Sequence, residues 1–202
     1  MFRKPLIPLA AFTLAYLLGF GALVVVRRNT EFLLYGGVMV LLIGLVLTIN
    51  SRVRFTGPVL WGLSLWGFLH LAGGNIPIPQ RLANEGGSPV LYSLWLIPGT
   101  LKYDQLVHAF GFFVSAFACH QAIRGRLASP GRVSFGLAIG LALMSMGLGA
   151  ANEVVEFAAT RVLPNTNVGG YVNTGWDLVS NAVGAFSAAA ILWLRHRPRA
   201  SA

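Results

Sequence analysis

Residues 6–26 read LIPLAAFTLAYLLGFGALVVV, twenty-one residues without a charge. A bilayer's hydrocarbon core takes about 20 apolar residues in a helix. A cleaved secretory leader has a shorter apolar core, about 7–15 residues, followed by small residues at the cut site. Here Arg27-Arg28 follows the run. The stretch therefore reads as a retained transmembrane helix, and the rest of the chain repeats the pattern. Of its 202 residues, 55% are hydrophobic and only 10% charged. A soluble domain carries about 25% charged residues.

Five further runs have the length or apolarity to span: Phe32–Ile49, Pro58–Asn75, Tyr103–Ile123, Val133–Ala159 and Gly175–Leu194. The expected fold is an all-α polytopic bundle of about six transmembrane helices, one domain over residues 1–202. The net charge of +9 comes from Lys and Arg spread in ones to threes between apolar runs. That distribution fits membrane-topology signals and argues against nucleic-acid binding. Cys119 is the only cysteine, so an intramolecular disulfide is excluded, and its apolar setting makes it a packing residue.

Six spans put both termini on one side. That side receives Arg3, Lys4, Arg52, Arg54, Arg124, Arg126, Arg132, Arg195, Arg197 and Arg199. The other receives Arg27, Arg28, Arg81, Lys102 and Arg161. The excess predicts cytoplasmic termini in a cell membrane.

Residues 149–157, GAANEVVEF, place Glu153 and Glu156 near the outward end of the fifth span. By the same topology, His70 lies in the outer half of the third span. Asp104 and His108 open the fourth, and Asp177 and Asn181 open the sixth. Seven polar residues from four helices thus reach one depth. Each intrahelical pair lies about 40–60° apart around its axis and can face one way. Ionisable groups inside a membrane segment are costly and mark a functional site by default.

Carboxylates and imidazoles converging in a bundle are the ingredients of a divalent metal site for Zn, Mn or Fe. The reading assigns His70, His108, Glu153 and Asp177 as metal ligands. Asp104 or Glu156 is the general base for an activated water, and Asn181 completes the cluster. Simpler readings stand beside it. Asp104 and Asp177 also fit as helix N-caps, and His70 as a hydrogen-bonding partner of a neighbouring helix. His120 and His196 read as structural and as part of the basic tail. Gly136/Gly140 and Gly184/Ala188 have the spacing that lets helices approach closely. The connection Ile76–Lys102 carries PVLYSLWLIP (residues 89–98), too short to span and readable as an interfacial loop or a lid.

His70 with Gly73-Gly74, Tyr103-Asp104 with His108, Glu153-x-x-Glu156, Thr174-x-x-Asp177 and Asn181-x-x-Gly184 occur in an order that resembles the YjdF-like inner-membrane family. Part of the pattern looks like the VanZ-like proteins. The resemblance covers about Pro58–Leu194 and implies a bacterial multi-pass membrane protein without an assigned reaction. It also implies an aspartate where this chain has Asn173. Three functions stay open: a metal-dependent enzyme on a lipid or lipid-linked substrate, an ion- or proton-coupled transporter, and a non-catalytic module that binds lipid or a partner protein.

Overall fold

The computed structural model describes residues 6–83, 88–129, 131–164 and 166–196. Arg3, Lys4, Arg197 and Arg199, which contribute to the charge asymmetry, lie outside the described residues. Six helices follow in order: α1 (Ile7–Val26), α2 (Thr30–Val53), α3 (Gly57–Asn75), α4 (Tyr103–Arg124), α5 (Phe135–Val162) and α6 (Tyr171–His196). All but α3 are long and apolar enough to cross a membrane. The 19-residue α3 carries Trp61, Trp66, Ser64, His70, Asn75 and several glycines, which lower its hydropathy.

Local chemistry starts these helices where they start. Asn29 caps α2 by accepting from Phe32 N at 3.1 Å, and Ser134 caps α5 by accepting from Leu137 N at 3.2 Å. Such caps supply an acceptor for an otherwise orphaned backbone N–H. Proline sits in the first turn of α1 and α3, where its missing N–H costs nothing.

The helices form three hairpins whose turns gather at one end. Arg27 donates to Asn75 O at 2.8 Å, joining the α1–α2 turn to the end of α3. Glu31 accepts from Asn167 N and Nδ2 at 2.8–3.0 Å, joining the start of α2 to the α5–α6 loop. At the opposite end Gln121 of α4 bonds Thr56, and Val133 N donates to His196 O. That end is filled by apolar side chains, among them Cys119, Val133, Leu141, Ala185 and Leu192.

α4 is the central helix, and it packs most extensively on α6. Gly184 makes this possible, because a Cβ there would strike the carbonyl oxygen of Ala109 on α4. Gly149 similarly lets Asn181 lie against α5, with a Cβ only 2.7 Å from Asn181 Nδ2. Gly136 and Gly140 differ: nothing lies within 4 Å of a Cβ at either position. Their spacing does not mark a close helix contact here, because that face of α5 has no neighbour.

The described parts of the connection, residues 76–83 and 88–102, fold back over the turn end as two single 3-10 turns and two short strands, β1 (Trp95–Ile97) and β2 (Leu101–Lys102), paired antiparallel. Gly99 takes φ +68° in the hairpin turn, a conformation that favours glycine. The piece 89–98 is therefore a surface cover within an otherwise helical bundle. It inserts Tyr92, whose ring packs on Gly73 and Phe32.

Candidate functional site

His108 lies at the centre of the turn end, 5% exposed. One helical turn earlier on α4, Asp104 Oδ1 stands 3.6 Å from its Nε2. From α5, Glu153 Oε1 is 3.5 Å from Nδ1 and Glu156 Oε1 is 4.0 Å from Nε2. From α6, Asn181 Oδ1 is 3.0 Å from Nδ1. Asp177 joins Asp104 and His108 in a set whose donor atoms lie within 4.8 Å of one another. His108, Glu153 and Glu156 form a second set of the same kind. Three helices thus bring four carboxylates, one imidazole and one amide together.

The N-cap reading of the two aspartates does not survive. α4 is capped by Lys102, whose N–H donates to Gln105 Oε1 at 2.9 Å, and Asp104 already lies inside the helix. α6 begins at Tyr171, so Asp177 lies beyond its first turn. It is 1% exposed and aims into the bundle.

Burial without partners gives the cluster its chemical character. Both carboxylate oxygens of Glu153, Oδ1 of Asp177 and Nδ2 of Asn181 are buried and make no hydrogen bond. Buried polar atoms are nearly always satisfied, and leaving one unpaired costs about 1–3 kcal/mol, more for a charged group. A bound cation or ordered water is the usual remedy.

His70 is not in either set. Tyr92 holds it, with the hydroxyl 2.6 Å from Nδ1 and donating to the His70 carbonyl at 2.9 Å. Burial, and after it the Asp104 and Glu156 carboxylates, raise the Tyr92 hydroxyl well above its ordinary range. It therefore stays protonated as a donor. His70 still lines the cavities beside the cluster. One, of ≈ 30 Å³, also meets Glu31, Tyr92, Asp104, Glu156 and Asn173. The other, of ≈ 20 Å³, also meets Tyr35, Trp66, Asn152 and Glu156. Each has room for a water or an ion.

Several members are absent from the set read from the sequence. Asn173 Nδ2 donates to Asp177 Oδ2 at 2.6 Å and reaches Asp104 Oδ2 at 3.4 Å. Its Oδ1 accepts from Lys102 Nζ. The amide thus orients both aspartates and links them to a buried ammonium. Glu31 and Tyr35 line the outer side of the site. Only the scarcity of acids in the chain could have singled out Glu31. His120 lies at the opposite end, its ring 5.9 Å from that of His196.

Two expected results follow from these contacts. Tyr92→Phe removes the hydroxyl that joins the cover to α3, and should cost about 1–2 kcal/mol, read as lower thermal stability in detergent. Glu31→Ala removes the acceptor that holds Asn167, so limited proteolysis should cut the 163–170 loop faster than in the wild type.

A family model described as a predicted membrane protein (DUF2238) matches residues 8–198. The chain belongs to this family. YjdF-like is the family's usual name, so the residue order His70, Asp104, His108, Glu153, Glu156, Asp177, Asn181 pointed to the right relatives. The partial likeness to VanZ-like proteins rests on residues alone. No curated protein and no solved structure matches the chain. For a DUF2238 protein the established description is therefore a multi-pass membrane protein, and its chemistry must be argued from the cluster.

Proposed function

We propose that this DUF2238 chain is a metal-dependent membrane enzyme acting on a lipid or lipid-linked substrate at the outer leaflet. The observation that carries the proposal is the group of buried carboxylate oxygens without partners around His108. Four carboxylates this close would repel strongly if all were ionised, and a divalent cation relieves the repulsion. Oxygen and imidazole donors suit Mn²⁺, Fe²⁺ or Zn²⁺. The ligands come from His108, Glu153, Asp177 and Asp104. Asn181 orients His108, and Asn173 orients the two aspartates, the arrangement that tunes metal ligands in general.

Glu156 is the proposed general base. It lines both cavities, where a water has room beside the ion. A bound metal lowers the pKa of such a water, and the carboxylate takes its proton. The cavities are far smaller than the roughly 300–1,000 Å³ of a pocket that encloses a drug-sized ligand. The substrate therefore presents only its reacting group, with its acyl part in the bilayer. The proposed non-cytoplasmic side follows from the sequence, where Lys and Arg are in excess in the segments on the side of the termini and the positive-inside rule favours that side as cytoplasmic.

The test uses purified protein in vesicles that carry lipids with labelled head groups. Release of label should require divalent metal. Glu156→Gln should lower it by about 10²–10⁴, the usual contribution of a general base, with the ion between Asp104, His108 and Asp177 retained. Gradient-driven ion flux, lost in Glu156→Gln and unaccompanied by release, would establish the transporter reading instead. The apolar packing of the opposite end speaks against a continuous ion path.

A further inference from the structure

This inference rests on the metal-centre reading and concerns how many ions the centre holds. Five ionisable side chains fall into two sets that share only His108: Asp104, His108 and Asp177, and His108, Glu153 and Glu156. In each set the donor atoms lie within 4.8 Å of one another. Ligands about 2.0–2.2 Å from an ion stand at most about 4.4 Å apart. Three donors 4.8 Å apart lie about 2.8 Å from a common centre, so each set closes on an ion when its donors move inward by about half an ångström.

Asp104 and Glu153 reach different flanks of the imidazole. Nε2 faces Asp104 Oδ1 at 3.6 Å and, farther off, Glu156 Oε1 at 4.0 Å, whereas Nδ1 faces Glu153 Oε1 at 3.5 Å. The two nitrogens of a ring point apart, so one ion cannot meet both. With Nδ1–H donating to Asn181 Oδ1 at 3.0 Å, Nε2 is the free ligand, and it serves the aspartate flank. Glu153 and Glu156 are then left to bind through their own oxygens.

Each flank also has a buried carboxylate oxygen that makes no hydrogen bond. Asp177 is 1% exposed with Oδ1 unbonded; Glu153 is 8% exposed with both oxygens unbonded. These are separate signs of a missing ligand, one per set. Charge agrees. Four ionised carboxylates carry four negative charges, and one divalent ion offsets only two. Lys102 reaches only the aspartates, through the Asn173 amide.

We propose that the cluster holds two divalent cations. One lies between Asp104, His108 and Asp177. The second lies between Glu153 and one oxygen of Glu156, beside Asn181, which leaves the other Glu156 oxygen as the base. The donors are mostly carboxylate, which suits Mn²⁺ or Mg²⁺ as well as Zn²⁺. Paired ions of this kind can hold both the attacking and the leaving oxygen of a displacement.

The experiment counts ions. Full-length protein in detergent, stripped with chelator and dialysed against Mn²⁺, should retain two ions per chain by elemental analysis. The near-isosteric changes Asp177→Asn and Glu153→Gln should each lower the count to one. A single ion in the wild type, or loss of every ion on either single change, overturns the two-position arrangement and leaves the one-ion centre standing. No ion at all overturns both. A second measurement needs no variant: Mn²⁺ is added stepwise and followed by electron paramagnetic resonance. The six-line signal of the first equivalent should broaden as the second binds beside it. Saturation at one equivalent with an unbroadened signal overturns the proposal.

Discussion

Gly184→Ala should destabilise the protein more than any other single methyl addition in the helix pairs that hold the site. The added Cβ falls on the carbonyl oxygen of Ala109, with the backbone N of Phe113 3.0 Å away. Backbone atoms of α4 cannot turn aside as a side chain can. α4 and α6 must separate, and they carry Asp104, His108, Asp177 and Asn181 between them. Overpacking of this kind costs about 1–3 kcal/mol and sometimes more. Differential scanning fluorimetry in detergent should show a clearly lower melting temperature, and Gly184→Leu should fail to accumulate as folded protein. Gly136→Ala and Gly140→Ala are the controls. Both positions face open space, and alanine is a better helix former than glycine by about 1 kcal/mol. Unchanged or raised stability is expected at those two sites.

His108→Ala carries the second large effect, this time on function. Its ring is the one imidazole in either ligand set, and it separates carboxylates from three helices. Losing a residue that merely orients a metal ligand costs about 10–100-fold in affinity. Losing the ligand itself should cost at least about 100-fold. Metal-dependent activity should fall with it. Stability separates this account from a purely structural polar lock between helices. The lock predicts that function and melting temperature fall together. The metal centre predicts that metal-free wild type and His108→Ala melt within a few degrees of each other, while only the wild type is stabilised by added metal.

The fold was legible because each helix announces itself by a long apolar run, and the interruptions fall where turns are. The start of α6 was read at Gly175, though it begins at Tyr171. Gly169, Gly170 and Asn173 make the first turn look like loop, and the bond from Asn173 to Asp177 within it is a contact no composition reveals. The convergence of Asp104, His108, Glu153, Glu156, Asp177 and Asn181 was also legible, since alternating helix direction brings their ends together. The place of His70 was not. Its Nδ1 is taken by Tyr92, which arrives from a connection whose path depends on tertiary packing. Glu31 lies in the first turn of α2, where the helix dipole favours an acid. Its acceptor role depends on Asn167, 136 residues away in sequence. The glycine pairs carry a further lesson. Gly136/Gly140 and Gly184/Ala188 share one spacing, yet spacing alone does not reveal which helix face has a neighbour.

The central claim is that the buried carboxylates around His108 hold a divalent cation. Elemental analysis tests it most directly, on wild-type protein and His108→Ala purified side by side and dialysed against micromolar Mn²⁺, Fe²⁺ and Zn²⁺. The account predicts at least one ion per wild-type chain, removable by chelator, and a substantially lower content in His108→Ala. Background metal in the wild type, or equal content in both proteins, would contradict it.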